Sequence, residues 1–301
     1  MFVHLVLAQA LAAADPAAAL PAGPPAAGAP PQAITVTGHR VSGTEVGAFV
    51  ATVASETGNE RVARWAGRIC LDVAGAAPAQ ADYLSGRIAA VARQLELEIA
   101  AGRACAPAAL IVFTADPARL LAELRQSRPR FFGAAGGAAR DSLLAADAPV
   151  RWLSSAALRG AQGETPFAFY VDPKSGGVER PVPGVRAIGS RLAAGSRMDL
   201  QSMLVLVDTS RLGGISNRSL AAYLAMVVLG NIRQPPGPLR QPSILNLFDE
   251  RARDGGVRTA GLTRWDLAYL RSLHAGNWNM AADRRRRLIA ASMARELGAR
   301  R

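Results

Sequence analysis

The chain has 301 residues and a mass of 31.4 kDa, which allows one large domain or two ordinary ones. Half of the residues are apolar and 19% are charged, so the chain can bury a core and is not disordered as a whole. The formal net charge is +12, and no apolar run is long enough to span a bilayer, which excludes a polytopic membrane protein. Three histidines and two cysteines leave little from which to build a metal site, so we predict no metal or other cofactor.

The N-terminus has the pattern of an export signal. An apolar stretch at 2–11 ends in Ala8-Gln9-Ala10, a small-x-small cleavage pattern, and 12–14 offers a second site. No Arg or Lys precedes Arg40, so the positively charged part of the signal is weak. The alternative is a short apolar helix, which the Ala/Pro/Gly tract that follows disfavours. We predict a signal-like segment at 1–14, an extended linker at 15–32, and a soluble periplasmic or secreted product.

Strands and helices alternate along the rest of the chain. The apolar patterns predict strands at 33–37, 110–114, 150–155, 167–171 and 203–207. They predict helices at 44–54, from 79, from 117 to about 124, at 220–232 after a cap at Ser216 or Ser219, after a Thr263 cap, and at 281–297. A Gly/Ala-rich loop is predicted at 131–139. This order predicts an α+β fold, a single mixed α/β domain at 33–279, followed by an Arg-rich helix or tail at 280–301.

Cys70 and Cys105 flank a predicted helical stretch at 78–99. In an exported protein two cysteines most simply form one disulfide, which would close a loop of ~36 residues and stabilise the fold by roughly 4 kcal/mol. The alternative is two buried free thiols in a cytosolic protein. Neither cysteine belongs to a C-x-x-C motif, so redox catalysis is not supported.

Positive charge is concentrated at the C-terminus. Residues 280–301 contain seven arginines against Asp283 and Glu296. Such a patch attracts polyanions, and the candidate contacts are Arg284, Arg285, Arg286 and Arg287. The alternative is a solvated helix face or tail, and aromatic residues that would stack on bases are not interleaved, which disfavours nucleic acid.

The last third of the chain carries a specific resemblance. The strand at 203–207 and the helix at 220–232 are followed by P-S-I-L-N-L-F-D at 242–249 and by L-T-x-W-D-x-x-Y-L-x-x-L at 262–273. These segments resemble a secreted bacterial family of unknown function, some of whose members look like zincin metallopeptidases with a helix that reads H-E-x-x-x-Q-x-L-G. The family also has a cysteine-flanked helix and strand, where this chain has Cys70 and Cys105. The resemblance implies a zincin-like last third.

The zinc motif itself is absent from this chain. Aligning Leu229-Gly230 with the L-G of the family places Ala222 at the histidine, Tyr223 at the glutamate and Val227 at the glutamine. A zincin needs ligands on one helix face and a carboxylate that activates water. The remaining histidines, at positions 4, 39 and 274, are too scattered to replace them. Tyr223 and Trp265 either line a former active-site cleft or fill the core.

These observations favour an exported, catalytically inactive zincin-like envelope domain that acts by binding a protein or glycan. The absent zinc ligands and general base argue against an enzyme. Two alternatives remain open, namely a hydrolase with an unrecognised site and a polyanion-binding module that uses the C-terminal arginines. The expected partner is an envelope protein or an acidic polymer.

Overall fold

The computed structural model describes residues 41–55, 61–101, 105, 108–127, 143, 148–163, 168–171, 178–182, 195–249, 259–277 and 279–299. All of them lie within the unit Arg40–Arg301. The predicted signal-like segment, the linker, the strand at 33–37 and the loop at 131–139 lie outside the described residues.

A five-stranded mixed sheet forms the centre of the described part. Its strands are β1 (Ile69–Ala74), β2 (Ile99–Ala101), β3 (Ala109–Thr114), β4 (Val150–Gly160) and β7 (Ser196–Asp208), in the spatial order β2-β1-β3-β7-β4. The first four strands of that order are parallel to one another, and β4 is an antiparallel edge strand paired with β7. A separate hairpin is formed by β5 (Ala168–Val171) and β6 (Val178–Val182).

Six α-helices accompany the strands in the described ranges. They are α1 (Gly43–Val53), α2 (Pro78–Gln94), α3 (Pro117–Ser127), α4 (Asn217–Gly230), α5 (Arg264–His274) and α6 (Ala282–Leu297). Each lies where an apolar periodicity predicts a helix. Together with the sheet they confirm a single mixed α/β domain. None of the helices in the described ranges is long and apolar enough to cross a membrane.

The sheet separates two apolar clusters because side chains alternate between its faces. The larger cluster contains inward-facing residues of β1, β3, β4 and β7 with α1, α2, α4, α5 and α6. The smaller one packs α3 against Leu153, Leu204 and Leu206 on the opposite face. Parallel strands covered on both faces are expected to be nearly continuous apolar runs, as Ala109–Thr114 is.

The structure differs from the predictions mainly in element length. β4 and β7 form a ribbon of 11 and 13 residues, longer than the predicted 150–155 and 203–207. Helix α2 ends at Gln94 rather than 99, because Glu96 adopts a left-handed conformation (φ 57°) and β2 begins three residues later. β1, β2 and β6 were not predicted.

The disulfide between Cys70 and Cys105 is formed, with Cα atoms 5.9 Å apart. Cys70 lies within β1, between the neighbouring strands β2 and β3. Cys105 lies in the connection from β2 to β3. The bridge therefore ties that connection to the parallel part of the sheet and closes a loop that contains α2.

Candidate functional site

Helix α4 is the element on which the resemblance to zincins depends. It follows β7 after a short 3-10 turn at Thr209–Arg211, and the Ser216 side chain caps its first turn by accepting a hydrogen bond from the Ser219 backbone N–H. Apart from its first residues and Ala222, the helix is buried. Such a helix, apolar all round, is held by packing on every side.

The three positions aligned with the zinc motif do not converge on one site. Val227 is fully buried in the core. Ala222 faces a shallow groove of about 210 Å³ between α2, α4 and the start of α5. Tyr223 lines a different and larger cleft. No side chain at these positions can bind a cation or transfer a proton from water at neutral pH.

The cleft beside Tyr223 has a volume of about 510 Å³. We call it the tyrosine cleft. Its lining includes the start of the edge strand β4 and the proline-rich segment 234–238 that follows α4. The 242–249 motif contributes Leu245, Phe248 and Asp249.

Tyr223 is held in the cleft by aromatic contacts. Its ring packs edge-on against Phe248, with centroids 4.9 Å apart, and against Trp152 at 6.5 Å. Burial raises the pKa of Tyr223 well above its usual value, so the phenol stays protonated. Tyr223 therefore fills part of the core and also lines the cleft, whereas Trp265 packs against Phe49 in the core with centroids 5.4 Å apart.

The two sequence motifs after α4 are joined through one buried carboxylate. Asp266 accepts hydrogen bonds from the Ser243 hydroxyl (2.6 Å), from the Ile244 backbone N–H (2.9 Å) and from both the hydroxyl and the backbone N–H of Thr263 (2.8 Å each). Burial raises the pKa of Asp266, and the four donated hydrogen bonds oppose that rise. The same side chain completes a capping box with Thr263 at the start of α5.

Asn246 fixes the other end of the 242–249 segment. Its side chain accepts a hydrogen bond from the backbone N–H of Leu239 (2.8 Å) and donates to the carbonyls of Leu239 (2.9 Å) and Gln241 (3.3 Å). These bonds hold the segment against the proline-rich stretch. The motif residues Ser243, Asn246, Thr263 and Asp266 thus have a structural role, which is to position Leu245 and Phe248 in the tyrosine cleft.

Side chains from distant elements cap the C-terminal end of α4. The Trp65 indole donates to the carbonyl of Val228 (2.7 Å), and the Tyr269 hydroxyl donates to that of Gly230 (3.2 Å). The Trp152 indole donates to Ile232, just beyond the helix (2.7 Å). The last carbonyls of a helix lack intrahelical partners, so a buried helix end needs such donors.

His274 supplies one further cap and is not a metal ligand in this arrangement. Its Nε2 lies 2.8 Å from the carbonyl oxygen of Leu229, so this nitrogen carries the proton. Burial lowers the pKa of His274 to about 4, with the nearby Arg64 and Arg285 adding to the effect, and the imidazole is neutral at pH 7. The sequence alone did not assign this structural role.

Two buried arginines cap α5 in the same way. Arg285 donates to the carbonyls of Ser272 (3.1 Å), Leu273 (2.6 Å), Ala275 (2.9 Å) and Asn277 (3.1 Å). The Arg64 guanidinium donates to the carbonyls of Leu273 and His274. A cation at a helix C-terminus also interacts favourably with the helix dipole.

This placement corrects the prediction for one of the four C-terminal arginines. Arg285 is only 4% exposed and cannot contact a polymer in solvent. Its position could have been found from the sequence, because it lies four residues before Ile289 on the stripe that continues through Met293 and Leu297, all buried. Arg287 is exposed, Arg284 and Arg286 are half-buried, and Arg286 forms an ion pair with Asp283.

Within the described ranges, no group of three or more His, Cys, Asp or Glu side chains lies close enough to hold a metal ion. Comparison with protein-family models, with curated proteins and with solved structures finds no match for this chain. The site must therefore be interpreted from its own geometry.

Proposed function

We propose that this protein is an exported, zincin-like domain that has no catalytic zinc and acts by binding an extended segment of another protein in the tyrosine cleft. The single observation that carries the proposal is the position of Tyr223. At the helix position where the resembling peptidases have their catalytic carboxylate, this chain has an aromatic ring that is almost fully buried and forms part of the wall of a cleft.

The arrangement of the sheet supports a zincin-like scaffold. Zincins carry their ligands on one helix beside a cleft. Here α4 directly follows the last parallel strand, packs into the core along most of its surface and borders a cleft at Tyr223. The disulfide between Cys70 and Cys105 supports export, because such bonds persist in oxidising compartments.

The walls of the cleft suit an extended peptide. The backbone carbonyl of Pro149 accepts a hydrogen bond from the Asp208 N–H, so the backbone groups of the next residue, Val150, point away from β7. An edge strand with outward N–H and C=O groups can pair with an added strand. Tyr223, Phe248 and the prolines at 235, 236 and 238 supply apolar and aromatic surface for its side chains.

Panning a phage-displayed library of random linear peptides on the oxidised protein tests the proposal. We expect enriched peptides that bind saturably. Phe248→Ala should weaken their binding at least about tenfold, as removal of an aromatic anchor does. The matched control is Leu288→Ala, which removes an exposed apolar side chain on α6. Leu288 does not line the cleft, so this substitution should leave binding unchanged.

Mass spectrometry of the same peptides after incubation separates binding from hydrolysis. The proposal requires that they remain intact. Cleavage of the bound peptides would show that the protein is a hydrolase. Failure of any peptide to enrich, or equal affinity for the native protein and the Phe248→Ala variant, would contradict the assignment of the cleft.

A further inference from the structure

A second cleft lies at the opposite end of the β4–β7 ribbon from Tyr223. It has a volume of about 460 Å³. Its charged and polar lining comes from Arg68, Arg159, Arg197, Asp199 and Gln201, and we call it the arginine cleft. Three arginines and one aspartate give this lining a formal charge of +2. A cleft of this size accommodates a small molecule rather than a single water.

The register of the ribbon places two of the arginines directly opposite each other. Arg159 of β4 pairs with Arg197 of β7 across the antiparallel ladder, and both side chains line the cleft. Directly opposed like charges destabilise a sheet. Asp199 offsets part of this repulsion at Arg197, and the lining keeps a formal charge of +2, which favours an anion in the cleft.

Neighbouring groups hold both guanidinium groups in place. Asp199 clamps Arg197 with two contacts, from Nε to Oδ1 (2.9 Å) and from Nη2 to Oδ2 (3.0 Å). A β-bulge at Gln201 interrupts the ladder, and the Gln201 side chain accepts a hydrogen bond from Arg159 Nη2 (3.1 Å). Bulges re-aim side chains beside binding sites. Guanidinium groups that are already oriented lose little entropy when they bind a ligand.

At Gly163 the backbone lies close to the guanidinium group of Arg197. Gly163 has φ +96°, and a Cβ at this position would lie 2.7 Å from Arg197 Nη2. The positive φ favours glycine at this position. Across the cleft, Arg68 is exposed, and the described residues supply its guanidinium with no hydrogen bond or ion pair.

We propose that the arginine cleft is a binding site for a small molecule that carries an oxyanion, either a phosphate or a carboxylate. Arg159 contacts the anion from the ribbon, and Arg68 binds it from the segment before β1. Arg197 contributes positive charge beside the anion, while its guanidinium stays bound to Asp199 and to the Ala161 carbonyl. Arginine is suited to this role because its planar fork of N–H groups matches the oxygen spacing of both groups. The site is independent of the tyrosine cleft and of the C-terminal arginines.

Titration of the full oxidised protein with sodium phosphate and, separately, with sodium succinate tests this inference. Ionic strength is held constant with sodium chloride, and binding is followed by the NMR signals of the arginine side-chain Nε–H groups and of the Gly163 amide. We expect saturable shifts at Arg159, Arg197 and Gly163 with at least one of the two anions. The anion that binds more tightly identifies the ligand class.

Three variants test whether the anion binds in the arginine cleft. Arg68→Ala should weaken binding at least about tenfold, and Arg68→Lys should retain part of it because the charge is kept and the fork is lost. Arg68 is exposed, so both variants should fold, and an unchanged melting temperature checks this. Arg287→Ala, an exposed arginine on α6, makes the same change in net charge and should leave the affinity within twofold.

Two results would overturn the proposal. The first is the lack of saturable shifts with either anion at tens of millimolar. The second is an equal loss of affinity in Arg68→Ala and Arg287→Ala, which would show that net charge rather than the cleft attracts the anion. Neither result bears on peptide binding at Tyr223.

Discussion

Single polar side chains determine how the segments beside the tyrosine cleft are held. Asp266 is fully buried and accepts hydrogen bonds from three residues in two separate segments. His274 and Arg285 each donate to backbone carbonyls at a buried helix end. Buried groups of this kind stabilise a fold only while their partners are present, because an unpaired buried donor or acceptor costs about 1–3 kcal/mol.

Asp266→Ala should lower the free energy of unfolding by about 3–5 kcal/mol. The substitution leaves the Ser243 hydroxyl and the backbone N–H groups of Ile244 and Thr263 without their acceptor. Urea denaturation followed by tryptophan fluorescence measures the loss. Asp283→Ala, at an exposed aspartate in the first turn of α6, is the matched control and should change stability by less than about 1 kcal/mol. Equal effects of the two substitutions would contradict the assigned network.

His274 should make stability depend on pH between about 4 and 6.5. Burial lowers the pKa of the folded state to about 4, whereas an unfolded histidine titrates near 6.5. The unfolded state therefore binds more protons in this window, and the free energy of unfolding falls as pH falls, by at most about 3 kcal/mol. Above pH 7 the contribution is complete.

Comparison with His274→Gln isolates this effect. The glutamine amide can still donate to the Leu229 carbonyl, but it does not titrate. The difference in stability between native protein and variant should change over pH 4 to 6.5 and be constant above pH 7. A difference that does not change with pH would show that His274 is exposed or already charged in the folded protein.

At the scale of elements, side chains cap the buried C-terminal ends of two helices, α4 and α5. Trp65, Tyr269 and His274 cap α4, and Arg64 and Arg285 cap α5. Every cap except that of Arg285 joins residues that are at least 39 positions apart in the sequence. The caps therefore fix how α4 and α5 pack, and through α4 they fix the position of Tyr223.

Arg285→Ala should be much more harmful than the same substitution at a neighbouring arginine. It removes the donors to four carbonyls at the end of α5, and we expect a loss of about 3 kcal/mol in unfolding free energy. Arg287→Ala, two residues later on the exposed face, should cost less than about 0.5 kcal/mol. Differential scanning calorimetry of the two variants measures the contrast, and similar melting temperatures would contradict the capping role.

Elements with a clear apolar periodicity could be predicted from the sequence, and elements defined by distant partners could not. The stripe of α2 and the Thr263 cap of α5 are local signals, and both agree with the structure. Strand β1 is short and carries a cysteine and an aspartate among its apolar residues, and β2 has only three residues. Strand β1 pairs with β3, and β2 pairs with β1, so each depends on a partner strand that lies elsewhere in the sequence.

Prediction of the candidate sites from the sequence meets the same limit. The sequence singled out Tyr223 through its alignment with a zinc motif, but not the residues around it. The hydrogen bonds of Asn246 and Asp266, which help hold Phe248 and the proline-rich segment at the cleft, join residues that no local pattern connects. The opposed pair Arg159 and Arg197 depends on a strand register that neither segment reveals alone.

At the scale of the whole molecule, the disulfide cross-links a strand of the sheet to the loop between its two neighbouring strands. Cys70 lies in a strand with neighbours on both sides, and Cys105 lies in the connection between those neighbours. The cross-link limits how far the unfolded chain can separate these parts. The disulfide agrees with the proposed export of the protein, because disulfides persist in oxidising compartments.

Replacement of both cysteines by serine should lower the free energy of unfolding by roughly 2–4 kcal/mol, the range for a loop of this length. Urea denaturation of oxidised, reduced and Cys70→Ser/Cys105→Ser protein measures it. The reduced protein should resemble the variant. If reduction leaves stability unchanged, the disulfide contributes nothing to the fold.

The central claim is that the protein works without a zinc ion on α4, and zinc stoichiometry tests it most directly. Full-length oxidised protein is incubated with excess zinc chloride, desalted and analysed by inductively coupled plasma mass spectrometry, and its melting temperature is recorded with and without zinc. The account predicts zinc far below one ion per chain and an unchanged melting temperature. One tightly bound zinc per chain, with a melting temperature that rises on loading and falls on chelation, would contradict it.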